Sequence, residues 1–276
     1  MVLHFPANSL KRLAQIWISA QNGGSLSIVA GPLKGRRLPK SIAARSVGML
    51  AGRYESGVVN KILSLAGSIK VAYDVGANVG YVALALCHCA KAEEVFAFEP
   101  VPSNVSLIRE IAAENHLTSH MIPVTKALSD ENGTQLMHSW WDPSMFFLES
   151  ARDDQNVDPA RAFPVETCTM DSFIFDSSNK PPDFIKIDVE GAEDLVINGA
   201  MRTLQTFNPH LLIEVHGPKN AERIWASLSP LGYQGWQIKA NGQEEPVCQD
   251  DLAELCTPDS WTAHLFFSRK TPSVDK

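Results

Sequence analysis

The sequence predicts an α/β protein with a doubly wound, mostly parallel sheet and helices on both faces. From about residue 70 onward, short apolar runs alternate with segments of helical periodicity, which is typical of this class. The run at 210–217 is nearly continuously apolar, as expected for a parallel strand that is buried on both faces. Near the C-terminus, consecutive strand patterns around a glycine turn indicate an antiparallel edge strand.

The elements follow one another in a regular order. The predicted strands cover residues 69–75, 94–100, 120–128, 163–170, 184–189, 210–217, 236–238 and 262–269. The predicted helices cover residues 81–89, 105–114, 172–176, 192–204 and 221–228. The strand at 120–128 leads into a turn signal instead of a helix, and residues 134–166 are expected to form a hairpin and a loop over the site.

Residues 1–60 contain too little apolar sequence for a core of their own. We therefore expect a helical and strand cap over 1–60 and one ligand-binding domain over 61–276. Within the cap, the stretch "KRLAQIWISA" is predicted to be an amphipathic helix that packs on the domain or on a partner subunit. Its apolar side consists of Leu10, Leu13, Ile16 and Trp17. A homo-oligomer and a role at a membrane surface stay open.

Composition excludes several classes of protein. The 276 residues are 45% hydrophobic and 20% charged, as in an ordinary globular protein. A net charge of -7 argues against nucleic acid as the main partner, because phosphate binding needs a clustered basic surface. We expect no transmembrane segment and no signal peptide. The 5 cysteines have no framework spacing, which favours reduced thiols in a cytoplasmic protein.

The stretch "YDVGANVGY" joins the first core strand to its helix. Gly76 and Gly80 permit a tight turn and close approach of the backbone to a ligand. Their spacing differs from the Gly-x-Gly-x-x-Gly that holds a pyrophosphate, which favours a ligand without phosphates. Asp74, at the end of the strand, suits a cationic group such as an ammonium.

Glu99 closes the second strand, 19 residues after Gly80. An acidic residue at this place accepts hydrogen bonds from two ribose hydroxyls. Together with Asp74, it indicates a nucleoside-bearing ligand that also has an amino group. S-adenosylmethionine has this composition, and its sulfonium suits an acidic pocket.

Four titratable residues lie at the ends of the strands predicted at 184–189 and 210–217: Asp188, Glu190, Glu214 and His216. If these strands are neighbours, the four side chains converge beside the methyl donor, where an alcohol acceptor benefits from a general base. Glu190 also fits a structural role in the first turn of the next helix, and Lys186 fits an ion pair with Asp188. A magnesium ion held by the carboxylates stays an alternative, and we predict no metal.

Several segments together resemble the FkbM family of S-adenosylmethionine-dependent methyltransferases. They are "GPLKGRRL", "GRYESGVV", "YDVGANVGY", "FAFEP", "DFIKIDVEGAE" and "LLIEVHG", which span about residues 31–217. The resemblance implies the seven-stranded, Rossmann-like class I methyltransferase fold. It also implies S-adenosylmethionine as cofactor and O-methylation of a hydroxyl on a small molecule, sugar or glycan, lipid or polyketide. Residues 1–30 and 134–166 match nothing in the family and are expected to decide the acceptor.

The resemblance also implies roles for individual residues. The implied cofactor-binding residues are Glu55 at the methionine end, Asp74, Gly76, Asn78, Gly80, Glu99, and Ala127 and Leu128 at the adenine rim. Asp188 is better placed for a base by analogy with other methyltransferases, whereas His216 is better matched to neutral pH. Both stay candidates.

Four aromatic side chains lie in the irregular segment: Trp140, Trp141, Phe146 and Phe147. They either contact the acceptor or hold the segment on the sheet. Two other functions stay open. A nicotinamide-dependent oxidoreductase shares the ribose-binding acid but is disfavoured by the missing third glycine, and the last alternative is a non-catalytic protein that binds S-adenosylmethionine.

Overall fold

The computed structural model describes residues 18, 20, 24–139, 146–151, 159–239, 241–256 and 261–269. Most of the predicted N-terminal amphipathic helix, including Leu10, Leu13, Ile16 and Trp17, and two of the aromatic residues, Trp140 and Trp141, lie outside this part of the chain. Among the helices within it, none is long and apolar enough to cross a membrane.

Strands and helices alternate along most of the chain. The strands are β1 (Ser25–Ser27), β2 (Arg37–Pro39), β3 (Val71–Val75), β4 (Glu94–Phe98), β5 (Met121–Val124), β6 (Ala127–Leu128), β7 (Gly133–Ser139), β8 (Phe146–Leu148), β9 (Ala162–Cys168), β10 (Phe184–Ile187), β11 (His210–His216), β12 (Gln234–Ile238), β13 (Glu244–Val247) and β14 (Thr262–Ser268). The α-helices are α1 (Lys40–Arg45), α2 (Val47–Leu50), α3 (Ser56–Ser64), α4 (Tyr81–His88), α5 (Pro102–Glu114), α6 (Met170–Phe175), α7 (Glu193–Asn198), α8 (Met201–Phe207), α9 (Pro218–Leu228) and α10 (Leu252–Leu255).

The main sheet has 8 strands in the order β5-β4-β3-β10-β11-β14-β12-β13. The neighbouring strands from β5 to β11 are parallel, and β14 runs antiparallel between β11 and β12. The expectation of seven strands is therefore corrected, because β13 folds back antiparallel on β12 and adds an eighth. The edge strand is β13 and not the C-terminal β14. Its sequence Glu-Glu-Pro-Val suits an edge, where charged residues and proline discourage further pairing.

Helices cover both faces of this sheet. Alternation along β3 places Ala72 in a core with α3, α4 and α5, and Tyr73 in a second core with α6, α7, α8 and α9. Ile28 and Leu38, from the N-terminal segment, belong to the first of these cores. The division of the chain at residue 60 stays a prediction.

The excursion after β5 forms a second sheet of 4 strands in the order β6-β9-β7-β8. The hairpin and loop predicted for residues 134–166 is thus part of a sheet, and the predicted strand at 120–128 is divided into β5 and β6. In the new sheet β7 pairs antiparallel with β8 and β9, while β6 pairs parallel with β9. This sheet brings Met137, Phe146 and Leu148 to the carboxyl edge of the main sheet.

The helix predicted over 192–204 is also divided, into α7 and α8. The break lies at Gly199, where a Cβ would come within 2.0 Å of the carbonyl oxygen of Ser129. The Asp171 carboxylate then accepts the backbone N–H groups of Arg202 and Thr203 at 2.9 and 2.8 Å. An acid at this position supplies the acceptors that the start of α8 needs.

Candidate active site

A cavity lies at the carboxyl ends of β10, β3 and β4, where doubly wound sheets bind their ligands. Backbone hydrogen bonds join the loops that leave these strands: Asp188 N–H donates to the Val75 carbonyl at 3.0 Å, and Gly76 N–H donates to the Phe98 carbonyl at 3.1 Å. The lining residues are Met49, Tyr54, Glu55, Val75, Gly76, Ala77, Asn78, Val79, Tyr81, Val82, Phe98, Glu99, Pro100, Asn104, Ala127, Leu128, Met137, Phe146, Leu148, Lys186, Asp188, Val189 and Glu190.

The loop after β3 forms the floor of this cavity. Gly76 has φ +75, and a Cβ on it would lie 1.8 Å from the carbonyl oxygen of Asp188. Only glycine allows both this backbone conformation and this approach. Asn78 also has a positive φ, of 49°, and its N–H donates to Glu99 Oε2 at 2.9 Å.

Two of the predicted cofactor-binding residues lie behind the cavity instead of lining it. Gly80 has φ +88 at the start of α4, and a Cβ there would lie 3.1 Å from Ile108 Cγ1, so this glycine serves the packing of α4 on α5. Asp74 is completely buried, with Oδ1 3.8 Å from Lys186 Nζ. Burial raises the pKa of Asp74 to about 6, although the Lys186 ammonium opposes the rise. Alternation along β3 explains the placement, since Asp74 shares the face of Ala72.

Glu99 lines the cavity and is only 5% exposed. Its two carboxylate oxygens accept the N–H groups of Asn78 and Val101, each at 2.9 Å. Burial raises the pKa of Glu99 to about 7, while these hydrogen bonds oppose the rise. Each oxygen keeps a second lone pair, so the fixed carboxylate can still accept hydrogen bonds from a ligand.

The end of the cavity near β6 is apolar. Ala127 and Leu128, which are expected at the adenine rim, line it together with Met137, Phe146 and Leu148 of the small sheet. Met137 and Leu148 carry no signal in the sequence, because their placement depends on the pairing of β7 with β8. Of the predicted aromatic residues, Phe146 lines the cavity.

Phe147 instead lies buried, with its ring stacked on that of His138 at a centroid distance of 5.6 Å. Phe146 thus faces the cavity, whereas Phe147 packs within the small sheet, and contact of Phe146 with an acceptor stays a prediction.

Another part of the cavity wall is acidic, because Asp188 and Glu190 line it. Lys186 Nζ contacts Asp188 Oδ2 at 3.0 Å, as the sequence predicts. His216 lies behind these carboxylates, with Nε2 3.3 Å from Glu190 Oε2 and Nδ1 2.9 Å from Glu193 Oε1. β10 and β11 are neighbours and their ends meet as predicted, but neither His216 nor Glu214 lines the cavity.

The environment sets the charge of each group in this cluster. Burial lowers the pKa of His216, but the hydrogen bond and charge of Glu193 outweigh it and raise the value to about 9. His216 therefore carries a proton at neutral pH. Burial raises the pKa of Glu190 to about 7, against the charge of His216. Burial also raises the pKa of Asp188, against the Lys186 ammonium.

Glu214 belongs to a second, adjacent cluster. His264 Nε2 lies 3.1 Å from Glu55 Oε2 and 3.3 Å from Glu214 Oε2. Burial opposes ionisation of Glu214, but His264 outweighs it and holds the pKa of Glu214 at about 2. The two carboxylates also overcome the burial of His264 and raise its pKa to about 10. Of the three side chains, only that of Glu55 lines the cavity.

Sequence reasoning misses two members of these clusters. From the sequence, Glu193 is indistinguishable from an ordinary acidic residue in the first turn of a helix. His264 lies in the last strand, and only the pairing of β14 with β11 brings it opposite Glu214. An intervening histidine in an otherwise apolar strand is the one signal that points to it.

The strand order, the glycine turn after β3 and the buried acid after β4 define a Rossmann-like fold of the class I methyltransferase type. The family model for the methyltransferase FkbM domain matches residues 74–234, more than half of the chain. The protein belongs to the FkbM family, as the sequence motifs predict, and is an S-adenosylmethionine-dependent methyltransferase.

A curated relative is the hexuronic acid methyltransferase AglP of Haloferax volcanii. It is 28% identical over 195 residues, which cover 71% of this chain and 76% of the relative.

Similar solved structures include the methyltransferase FkbM from Methylobacillus flagellatus, with 19% identity and a TM-score of 0.46 over 72% of this chain. This chain spans 43% of the length of that protein. A second is an S-adenosylmethionine-dependent O-methyltransferase from Thermotoga maritima, with 14% identity and a TM-score of 0.44, covering 81% of this chain and 68% of the other.

Proposed function

We propose that this enzyme transfers the methyl group of S-adenosylmethionine to a hydroxyl oxygen of a sugar acceptor, free or within a glycan. The observation that carries the proposal is the position of Asp188. Its carboxylate lines the same cavity as Glu99, and its backbone touches Gly76. A base for the acceptor and a binding site for the donor therefore meet at one point.

The chemistry of the lining residues supports S-adenosylmethionine as the donor. Glu99 would accept hydrogen bonds from the ribose hydroxyls, and the apolar end around Leu128, Met137 and Phe146 would hold adenine. The cationic methionine end would lie toward Glu55 and Asp188. Family membership also favours this ligand over the nicotinamide alternative.

Methyl transfer to a hydroxyl requires a base that removes the hydroxyl proton. As the acceptor oxygen forms its bond to the methyl carbon, the carbon–sulfur bond breaks and S-adenosylhomocysteine leaves. The hydroxyl proton must go to a nearby base, and Asp188 is the better candidate of the two that the sequence leaves open. His216 lies behind the lining and already holds a proton at neutral pH, because its pKa is about 9. Its role would be to position Glu190.

The acceptor is proposed from chemistry and from the relative. AglP is named for methylation of a hexuronic acid, which makes a glycan with hexuronic acid the first acceptor to test. Such a sugar offers hydroxyls and a carboxylate. The acidic wall formed by Glu55, Asp188 and Glu190 would repel an acceptor carboxylate and favours a neutral hydroxyl.

The test is transfer of labelled methyl from S-adenosylmethionine to glucuronosides and to the matching neutral glucosides. Labelled product that survives mild alkali is a methyl ether and supports the proposal, whereas label released by alkali is an ester and contradicts it. Asp188→Asn should lower kcat by about 10²–10⁴-fold while S-adenosylhomocysteine still binds. An unchanged kcat would remove Asp188 from the role of base.

A further inference from the structure

We propose that Asp188, Glu190 and His216 form a binding site for a divalent metal ion at the acidic part of the cavity wall. The part of the ion in catalysis rests on the proposed methyl transfer, but its binding does not. The site would hold a first-row ion such as Mn²⁺ through two carboxylate oxygens and one imidazole nitrogen.

The donor atoms are already gathered. One oxygen of Asp188, one oxygen of Glu190 and one ring nitrogen of His216 all lie within 4.8 Å of one another. Two oxygen ligands and one imidazole suit Mn²⁺, Fe²⁺ or Zn²⁺ better than they suit Mg²⁺ or Ca²⁺, which prefer oxygen alone. Both carboxylates line the cavity, so an ion has access and its remaining positions face a ligand.

Glu193 supplies an independent observation, because it holds His216 as metal-binding histidines are usually held. Its Oε1 lies 2.9 Å from His216 Nδ1, and the Glu193 side chain is completely buried. The same oxygen accepts the backbone N–H of Gly191 at 3.0 Å, and Oε2 accepts the side-chain amide of Asn220. Glu193 fixes the orientation of the ring and directs Nε2 toward Glu190, 3.3 Å away, where a bound ion would take the place of the Nε2 proton.

The surrounding charge would also favour the binding of a cation. In the part of the chain that the structure describes, the linked carboxylates are Glu55, Asp74, Asp188, Glu190, Glu193 and Glu214. The cations among them are Lys186, His216 and His264. Lys186 is shared, at 3.0 Å from Asp188 and 3.8 Å from Asp74. Buried carboxylates in excess are costly, and a divalent ion would offset that excess.

The second cluster is a weaker candidate for the same ion. Glu55, Glu214 and His264 also bring their donor atoms within 4.8 Å of one another. Here, however, a single atom, His264 Nε2, lies between the two carboxylates, 3.1 Å from Glu55 Oε2 and 3.3 Å from Glu214 Oε2. Only Glu55 lines the cavity, which leaves an ion there poorly placed for a ligand.

An ion at the first cluster would act on the acceptor. It would bind the acceptor oxygen, lower the pKa of the hydroxyl and hold the oxygen in line with the methyl carbon. The proton would then pass to a carboxylate oxygen of the site that is not bound to the ion. No electron transfer is involved.

Calorimetric titration of the metal-free chain with Mn²⁺, followed by electron paramagnetic resonance, tests the site directly. We expect one Mn²⁺ per chain. Glu190→Gln and His216→Gln should weaken binding at least tenfold, and Glu193→Gln should weaken it about 10- to 100-fold without removing a ligand. The matched controls Glu55→Gln and His264→Gln, in the second cluster, should change it less than about twofold.

Three results would overturn the site. They are no stoichiometric Mn²⁺ binding at millimolar concentration, unchanged Mn²⁺ affinity in Glu190→Gln, or a loss of Mn²⁺ affinity in Glu55→Gln and His264→Gln. Glu190 is partly exposed, so its variant tests the site even if His216→Gln fails to fold. S-adenosylhomocysteine binding and methyl transfer are measured on the same samples with and without chelator. Transfer that persists in chelator overturns the part of the ion in catalysis and leaves the methyltransferase proposal intact.

Discussion

The backbone of Asp188 passes directly over Gly76, so that a Cβ on Gly76 would lie 1.8 Å from the Asp188 carbonyl oxygen. The contact joins the loop after β3 to the loop after β10. It fixes the proposed donor-binding loop against the proposed base, and any side chain at position 76 must separate them.

Gly76→Ala should therefore damage both stability and binding. A non-glycine residue at φ +75 costs about 1–2 kcal/mol, and forcing the loops apart adds about 1–3 kcal/mol. We expect a loss of about 2–5 kcal/mol in the free energy of unfolding and at least a tenfold loss of affinity for S-adenosylhomocysteine. Denaturant unfolding and calorimetry measure the two effects.

Gly67→Ala is the matched control, because Gly67 has φ +80 and nothing lies within 4 Å of its Cβ position. Gly67→Ala should lower the free energy of unfolding by only the cost of the positive φ, about 1–2 kcal/mol, and leave the affinity for S-adenosylhomocysteine unchanged. Equal effects of the two variants on both quantities would refute the role of the contact with Asp188.

Glu99→Gln should weaken binding of S-adenosylhomocysteine by about 1–3 kcal/mol, or roughly 5- to 150-fold in Kd. The two carboxylate oxygens accept the N–H groups of Asn78 and Val101, and an amide can satisfy only one of these donors without a clash of N–H groups. Isothermal titration calorimetry gives the Kd.

Glu94→Gln, at the other end of β4, removes an exposed ion pair with Lys180 and should leave Kd unchanged. Wild-type affinity in Glu99→Gln would contradict the proposal that Glu99 binds the ribose hydroxyls.

The parts of the fold that the sequence predicts correctly are those with a local signal. The buried strands β3, β4, β10 and β11 appear as apolar runs, and the glycine turn after β3 follows directly from its residues. The small sheet has no such signal. β7 is mostly exposed or half-buried along its first residues, and β6 pairs with β9 about forty residues away. Pairing over such a distance depends on the whole fold.

The same distinction applies to the site. Asp188 and Glu190 are predictable because they directly follow a strand at the edge where ligands bind. Asp74 also follows this rule, yet its side chain points to the buried face shared with Ala72. Asp74 differs from Asp188 and Glu190 only in the direction of its side chain. The alternation along β3 could have predicted that direction. Glu193 could not be singled out, because its role depends on contact with His216.

Lys186→Met should destabilise the protein by about 3–5 kcal/mol. The side chain of Lys186 is only 7% exposed and lies between Asp74 and Asp188, so its loss leaves the buried Asp74 without its cation. Adding Asp74→Asn to this variant should recover part of the loss. Thermal unfolding measures both.

Lys126→Met is the control for this variant. The ion pair of Lys126 with Glu166 is exposed and should be worth less than about 1 kcal/mol. If Lys186→Met costs no more than Lys126→Met, the buried pair contributes nothing to stability. If Asp74→Asn makes the Lys186→Met variant worse, Asp74 does not depend on Lys186 for its charge.

His264→Gln should show a dependence on pH that identifies the ion pairs with Glu55 and Glu214. The pKa of His264 in the folded protein is about 10, above its ordinary value near 6.5. A raised folded pKa means that the stabilisation is fully present below about pH 6.5 and is lost as the pH rises toward 10. At the acid end, the pKa of Glu214 is lowered to about 2, so its contribution is lost as the pH falls below about 4.5.

The difference in Tm between wild type and His264→Gln should thus be largest, at a few degrees, between about pH 4.5 and 6.5. It should shrink steadily as the pH approaches 10. His120→Gln removes a histidine whose contact is the Glu93 carbonyl instead of a carboxylate, and it should change Tm little throughout. A Tm difference for His264→Gln that stays constant up to pH 10 would mean that packing and not charge explains the effect. In that case His264 would not have a raised pKa, and its ion pair with Glu55 would not stabilise the protein.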